Sequence, residues 1–184
     1  MLIVGKKGVR HLIASLVIYY EYDLNLVEKG KEKNPMKKIY NEQEIIEMTI
    51  QLFKQTSMYE EQYEQYVRRP FRTDFYDDLS PYVKVGKQGY TLQMYERGVQ
   101  MLNKLTQDVE DVMYWIIEDT IHITAHLNLL RKYEVDNKNT HLKYTKEIMK
   151  ELTTAMNKAF YEIGGIYQEW HTANRRATLE NPLK

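Results

Sequence analysis

Apolar side chains along this chain follow two rhythms, and the change from one to the other divides it into segments. Ile45, Met48 and Leu52, with Thr49 beside them, recur every three or four residues. That spacing lines one face of a helix. Asn41-Glu42-Gln43-Glu44 stands in front of them with the form of a capping box: the Asn41 side chain can accept a backbone N–H of the first turn, and Glu44 can reach back to the Asn41 N–H. These features predict a helix from about Glu42 to Gln55. From Pro81 the period shortens to two. Tyr82-Val83-Lys84-Val85 alternates, Gly86-Lys87-Gln88-Gly89 supplies turn residues, and Tyr90 to Tyr95 alternates again. Glu96-Arg97-Gly98 makes a second turn before Val99 to Leu105. The pattern predicts a three-stranded antiparallel meander over about 82–105, with Val83, Val85, Leu92 and Met94 facing the core.

After Thr106-Gln107-Asp108 the longer period returns. Val109, Val112, Met113, Ile116, Thr120, Ile123, Leu127 and Leu130 fall in one stripe at ~100° per residue. Tyr114, Ile117 and Ile121 spread apolar character further round. This predicts a long central helix over about 107–132. A polar connection, Val135 to Asn139, leads to a helix from about Thr140, apolar at Ile148, Leu152, Ala155, Met156, Ala159, Phe160 and Ile163. Gly164-Gly165 ends it. A last short helix carries Ile166, Tyr167 and Trp170, and Asn181 to Lys184 is a tail. A lone meander cannot bury its apolar face, so helices must cover it. The expected class is α+β, a meander packed against a mainly helical remainder.

Two stretches fit neither rhythm. Tyr59, Tyr63 and Tyr66 are interleaved with Glu60, Glu61 and Glu64, and at i, i+4, i+7 they would line one helix face. Arg68 to Asp78 reads as a loop carrying aromatics, with Pro70 barring a continuing helix. The tyrosines either cap the open face of the meander or form an exposed surface for a partner. Interface energy concentrates in a few aromatic and arginine anchors, and glutamates steer a basic partner. The candidate partner-binding set is therefore Tyr59, Glu60, Tyr63, Glu64 and Tyr66. Residues 1–35 are the other odd stretch. Gly5-Lys6-Lys7-Gly8 and the apolar run after His11 imitate a signal peptide without a small-residue cleavage site. A charged run then ends at Pro35, and Met36-Lys37-Lys38-Ile39 reads like a bacterial start. Residues 1–35 are expected to be an extension outside the core or a mis-assigned start, with 36–184 a single domain. A genuine N-terminal strand or helix is the alternative.

Composition narrows the function classes. With 43% apolar and 28% charged residues the 184-residue chain is globular and long enough for one core. Basic and acidic residues number 26 each, so no strong positive field exists for a nonspecific grip on nucleic acid. Cysteine is absent, which suits a reducing cytoplasm. No apolar run approaches the ~20 residues that span a bilayer. The 16 tyrosines supply stiff contact area with a polar tip, which suits either a core or an interface.

Chemistry has little foothold. Glu118, His122 and His126 recur four apart on the long helix, where two imidazoles could share a metal. A third ligand would have to come from elsewhere, such as His141 or His171. A structural or interfacial histidine pair is the commoner outcome. No metal and no cofactor is expected, and no catalytic residue is assigned. The alternatives kept open are a metal-binding helical enzyme using His122 and His126, and a small nucleic-acid-binding regulator. Arg68-Arg69 and Arg175-Arg176 could contact phosphate but read as a solvated face.

One further pattern joins several of these segments. Val83-Lys-Val-Gly-Lys-Gln-Gly-Tyr90 is followed by Tyr95-Glu96-Arg97-Gly98, then Lys104-Leu105-Thr106, Asp108 and Val112-Met113-Tyr114-Trp115-Ile116. Asp119-Thr120, Arg131 and Glu169-Trp170 extend it. The series resembles the bacterial immunity proteins numbered sixty-three in the polymorphic-toxin classification, over about half the chain. His122 and His126 depart from it, standing where apolar or small residues are expected. The resemblance implies a cytoplasmic antidote, not an enzyme, that binds a cognate toxin domain, a nuclease being one kind. It implies no catalytic residues.

Overall fold

The first helix begins where the sequence places it. In the computed structural model Asn41 is extended, its side chain accepts the Glu44 N–H at 3.0 Å, and Glu44 accepts the Asn41 N–H at 2.8 Å. The structure describes residues 37–72 and 79–180, with side chains as far as 177. The expectation for residues 1–35, the end of the aromatic stretch and the tail lie outside the described residues. Helix α1, Glu42–Phe53, buries Ile45, Ile46, Thr49, Ile50 and Phe53. Met48 and Leu52, expected at the centre of its buried face, lie at its margin. Ile46, Ile50 and Phe53 outcompete them because together with Ile45 and Thr49 they make a broader apolar face.

The tyrosine–glutamate stretch does not make the continuous helix its spacing suggested. A 3₁₀ turn, Glu61–Tyr63, runs into a short helix α2, Glu64–Arg68, and a second 3₁₀ turn, Arg69–Phe71, holds Pro70 in its first turn. Pro70 lacks an N–H to donate, which a first turn does not need. Glu60 is extended, so Tyr59 stands before the first turn and off the face that Tyr63 and Tyr66 share.

The meander has the predicted order. Strands β1 Tyr82–Gly86, β2 Gly89–Glu96 and β3 Val99–Thr106 pair antiparallel in the order β1-β2-β3. Val83 sits opposite Leu92, and Leu92 opposite Lys104; Val85, Tyr90 and Thr106 form the next row. Gly89 is demanded by the first turn. Its φ is +136°, and a Cβ there would lie 2.3 Å from the Thr106 carbonyl oxygen. A register shift at Met94/Tyr95 kinks the β2–β3 ladder. Val83, Tyr90, Leu92 and Leu102 enter the main core, while Val85 and Met94 pack at its edge.

Helix α3, Val109–Lys132, is the spine. Asp111 to Ile117 are all buried, because the sheet, α1 and the C-terminal helices close round this half. Beyond Thr120 the buried positions are Ile121, Thr124, Ala125 and Leu129. Ile123, Leu127 and Leu130, which the stripe placed in the core, are half-exposed. The cover here is one-sided: Ala125 and Leu129 meet Ile148 and Leu152 of the next helix in a second, smaller cluster.

That helix, α4 Lys146–Ile163, starts later than Thr140. The Asp136 carboxylate accepts N–H groups from Lys138, Asn139 and Thr140 at 2.8–3.0 Å and keeps the connection in a turn. Thr145 then caps the helix. Gly164 and Gly165, both at positive φ, end it. Helix α5, Gly165–Thr172, is followed by α6, Arg175–Glu180, which the sequence reading did not anticipate.

The arginine pairs are a correction. Arg69 bonds the buried Asp119 at 3.2 Å, Arg175 bonds Asp111 at 2.7 Å and Arg176 bonds Glu118. Arg175 lies 5.0 Å from the centre of the Trp170 ring and Arg176 4.9 Å from that of Trp115. These three heads neutralise carboxylates on α3 and so tie segments together, whereas Arg68 stays exposed as a solvated face would have it.

Candidate partner-binding surface

Where α1 ends, Thr56 Oγ1 donates to the Phe53 carbonyl at 2.8 Å and turns the chain back. Tyr59 then sets its ring edge-on to Phe53, 5.5 Å between centroids. Its hydroxyl donates to Glu64 Oε1 at 2.9 Å. Glu64 also accepts from Arg68 and pairs with Lys54 at 3.8 Å. The bond from Tyr59 holds the Glu64 carboxyl below its ordinary pKa.

One turn on, Tyr63 is only 3% exposed and belongs to the main core. Its hydroxyl nevertheless meets the guanidinium of Arg131 at the end of α3. Arg131 lies 5.4 Å from the Tyr63 ring centre and donates from Nη1 to Glu60 Oε1 at 2.8 Å. This bond pulls the Glu60 pKa down and the Arg131 pKa up, while burial pushes the Tyr63 phenol up. Tyr66 packs 6.1 Å from Tyr63, with Arg69 5.9 Å from its ring centre.

The five candidate residues therefore fall into three internal contacts: Glu60 and Tyr63 on Arg131, Tyr59 on Glu64, and Tyr66 beside Arg69. Tyr63 has no free surface to offer; it positions Arg131 and, through it, Glu60. Beside this clamp opens a depression of about 330 Å³ lined by Tyr63, Leu127, Leu130, Arg131, Glu134, Val135 and Asp136. Its floor is apolar, Glu134 and Asp136 line it beside Arg131, and Glu60 adjoins through its bond to Arg131. Leu127 and Leu130 escaped the sequence reading because apolar helical spacing reads as core, and Val135 because it opens a polar connection. Arg131 sits 71 positions from Glu60, with no local signal for the pairing.

The histidines lie elsewhere. His122 is exposed; His126 is half-buried, stacks on Tyr144 at 5.9 Å and bonds its hydroxyl through Nδ1. Burial lowers the His126 pKa. His141 bonds Asn137, and His171 bonds Asn157 while lying flat against Phe160, 4.0 Å between centroids. Among the described residues no three histidines, aspartates or glutamates lie close enough to share a metal ion. Among them, too, no helix is long and apolar enough to cross a membrane.

Fold and surface define a small α+β protein whose polar side chains brace one another across element ends. Its family is shown by sequence: the family model of Immunity protein 63 matches residues 86–180, just over half the chain, and the chain belongs to that family. Comparison with curated proteins and with solved structures gives no match.

Proposed function

We propose that this chain acts in the cytoplasm as an antidote, binding and neutralising a cognate toxin domain of a polymorphic toxin system. Membership of the Immunity protein 63 family carries the reading. The proposed contact is the segment carrying Glu60, Glu61 and Glu64 with the half-buried rings of Tyr59 and Tyr66, together with the leucine-floored depression that Glu134 and Asp136 line. Such a surface complements a basic cleft, and a nuclease toxin is the partner chemistry it fits best.

The test uses the full chain and the toxin domain encoded beside it. Calorimetry should show one-to-one binding that weakens as salt rises. Paired charge reversal, Glu61→Lys with Glu134→Lys, should cost ~1–3 kcal/mol of binding while leaving the unfolding midpoint unchanged. Tight binding that ignores this double reversal would move the contact elsewhere on the molecule. If the neighbouring product neither binds nor harms cells lacking this chain, the antidote reading fails.

A further inference from the structure

Helix α3 ends on a residue that its closing turn does not favour. The Glu134 N–H bonds the Arg131 carbonyl at 3.2 Å and the Val135 N–H bonds the Leu130 carbonyl at 2.9 Å, so the last turn closes as a Schellman motif. The motif puts Glu134 in the left-handed region, with φ at +53°. Glycine or asparagine is the usual residue there, because a longer side chain crowds the backbone. Two other left-handed positions, Asn137 and Asn174, follow that preference. Glutamate at this one lowers stability relative to glycine, so the turn itself does not account for its carboxylate.

The surroundings of that carboxylate supply a reason. Glu134 borders the depression, whose apolar floor is Leu127, Leu130 and Val135, all half-buried. The other two charges that line it are engaged within the fold. Arg131 donates to Glu60 at 2.8 Å and meets the Tyr63 hydroxyl. Asp136 accepts the N–H groups of Lys138, Asn139 and Thr140. The Glu134 carboxylate has neither a hydrogen bond nor an ion pair among the described residues. It stands at the end of α3 where the helix carbonyls add negative potential. Occupants of the depression sort by chemistry. An aliphatic or aromatic side chain would cover the floor but take water from Glu134 without replacing it. A carboxylate would be repelled. A lysine or arginine brings an apolar stem for the leucines and a cationic head for Glu134.

We infer that the depression is a socket for one lysine or arginine side chain of a partner protein, and that Glu134 is the residue that selects its charge. The stem lies on Leu127, Leu130 and Val135, and the head meets the Glu134 carboxylate. The inference rests on the antidote reading for the source of that side chain, a basic surface of the toxin domain. It adds to that reading a single point of recognition, which the fold keeps at a cost to its own stability.

Two probes separate the socket from the antidote reading. The first is N-butylguanidinium, titrated into the full chain and followed by the methyl shifts of Leu127, Leu130 and Val135, with N-butylurea as its neutral counterpart. The guanidinium should move these methyls at concentrations at least about threefold below those the urea needs. Glu134→Gln should remove that preference and leave the unfolding midpoint in place. The second probe is the toxin domain encoded beside the chain. Glu134→Gln should weaken its binding about tenfold or more and flatten the dependence on salt. Glu134→Gly should weaken binding likewise yet raise the urea midpoint, because the left-handed position suits glycine. Equal response to the two small probes overturns the inference, as does toxin binding indifferent to Glu134→Gln, or a Glu134→Gly midpoint that falls. A chain that selects the guanidinium but binds no toxin keeps the socket and removes the antidote reading.

Discussion

Tyr63 shows how one side chain can belong to the core and still govern the surface. Its ring belongs to the main core and packs on Tyr66, while its hydroxyl holds Arg131, which in turn holds Glu60. Tyr63→Ala should therefore cost about 3–5 kcal/mol in urea unfolding, the range for losing a large buried aromatic. Tyr63→Phe keeps the ring and should cost about 1 kcal/mol, for one hydrogen bond. If Tyr63→Ala left stability intact, the ring would not be where the structure puts it. Ile116, fully buried, gives the apolar counterpart: Ile116→Ala should cost about 2–5 kcal/mol. The two residues differ in how far the sequence revealed them. Ile116 was legible because apolar neighbours on every side of a long helix leave solvent no face to claim. Tyr63 was not. Tyrosine is at home in cores and interfaces alike, and its placement turns on a short 3₁₀ turn that no hydrophobic period announces.

At the scale of elements, those with strong local chemistry came out as expected. Asn41→Ala removes the capping box of α1 and should lower stability by ~1 kcal/mol, read from the urea midpoint. The meander was legible from its glycines and alternation; its registry was not, since the approach of Gly89 to the Thr106 carbonyl, which an alanine there would clash with, is set by strand pairing. The start of α4 was misplaced because the Asp136 turn, held by side-chain bonds to backbone, overrides the helical spacing that follows it. The packing of α4 and α5 also makes stability depend on pH. Burial lowers the pKa of His171, against Phe160, and of His126, against Tyr144. Unfolded, both titrate near 6.5, so the stability tied to their neutral forms is complete above that pH and is lost as pH falls through the lower folded values. The urea midpoint should drop between pH 7.5 and 5, and His171→Gln should flatten the drop. Asp119, whose pKa burial raises, works in the other direction at lower pH, since its neutral form is favoured in the fold. A midpoint independent of pH over this range would show that neither imidazole is shielded.

For the whole molecule, class and family were readable because they rest on order: strand, turn, strand, then a helix opening at Asp108 and carrying Tyr114-Trp115. The acidic depression was not readable, because Tyr63, Leu127, Arg131 and Val135 meet only after α2 packs on α3. The two halves of α3 also differ in a way that bears on motion. Asp111 to Ile117 are enclosed on all sides, whereas Leu127, Leu130 and Arg131 face the depression with cover on one side only. Amide hydrogens in the first half should exchange with deuterium only when the entire molecule unfolds, and those from Leu127 to Lys132 through fraying of the last turns. The spine thus grades from a rigid anchor to a yielding tip, and the tip is where a partner would press. A bound toxin would be felt there first as slowed exchange, with the anchored half unchanged until the global unfolding rate itself shifts.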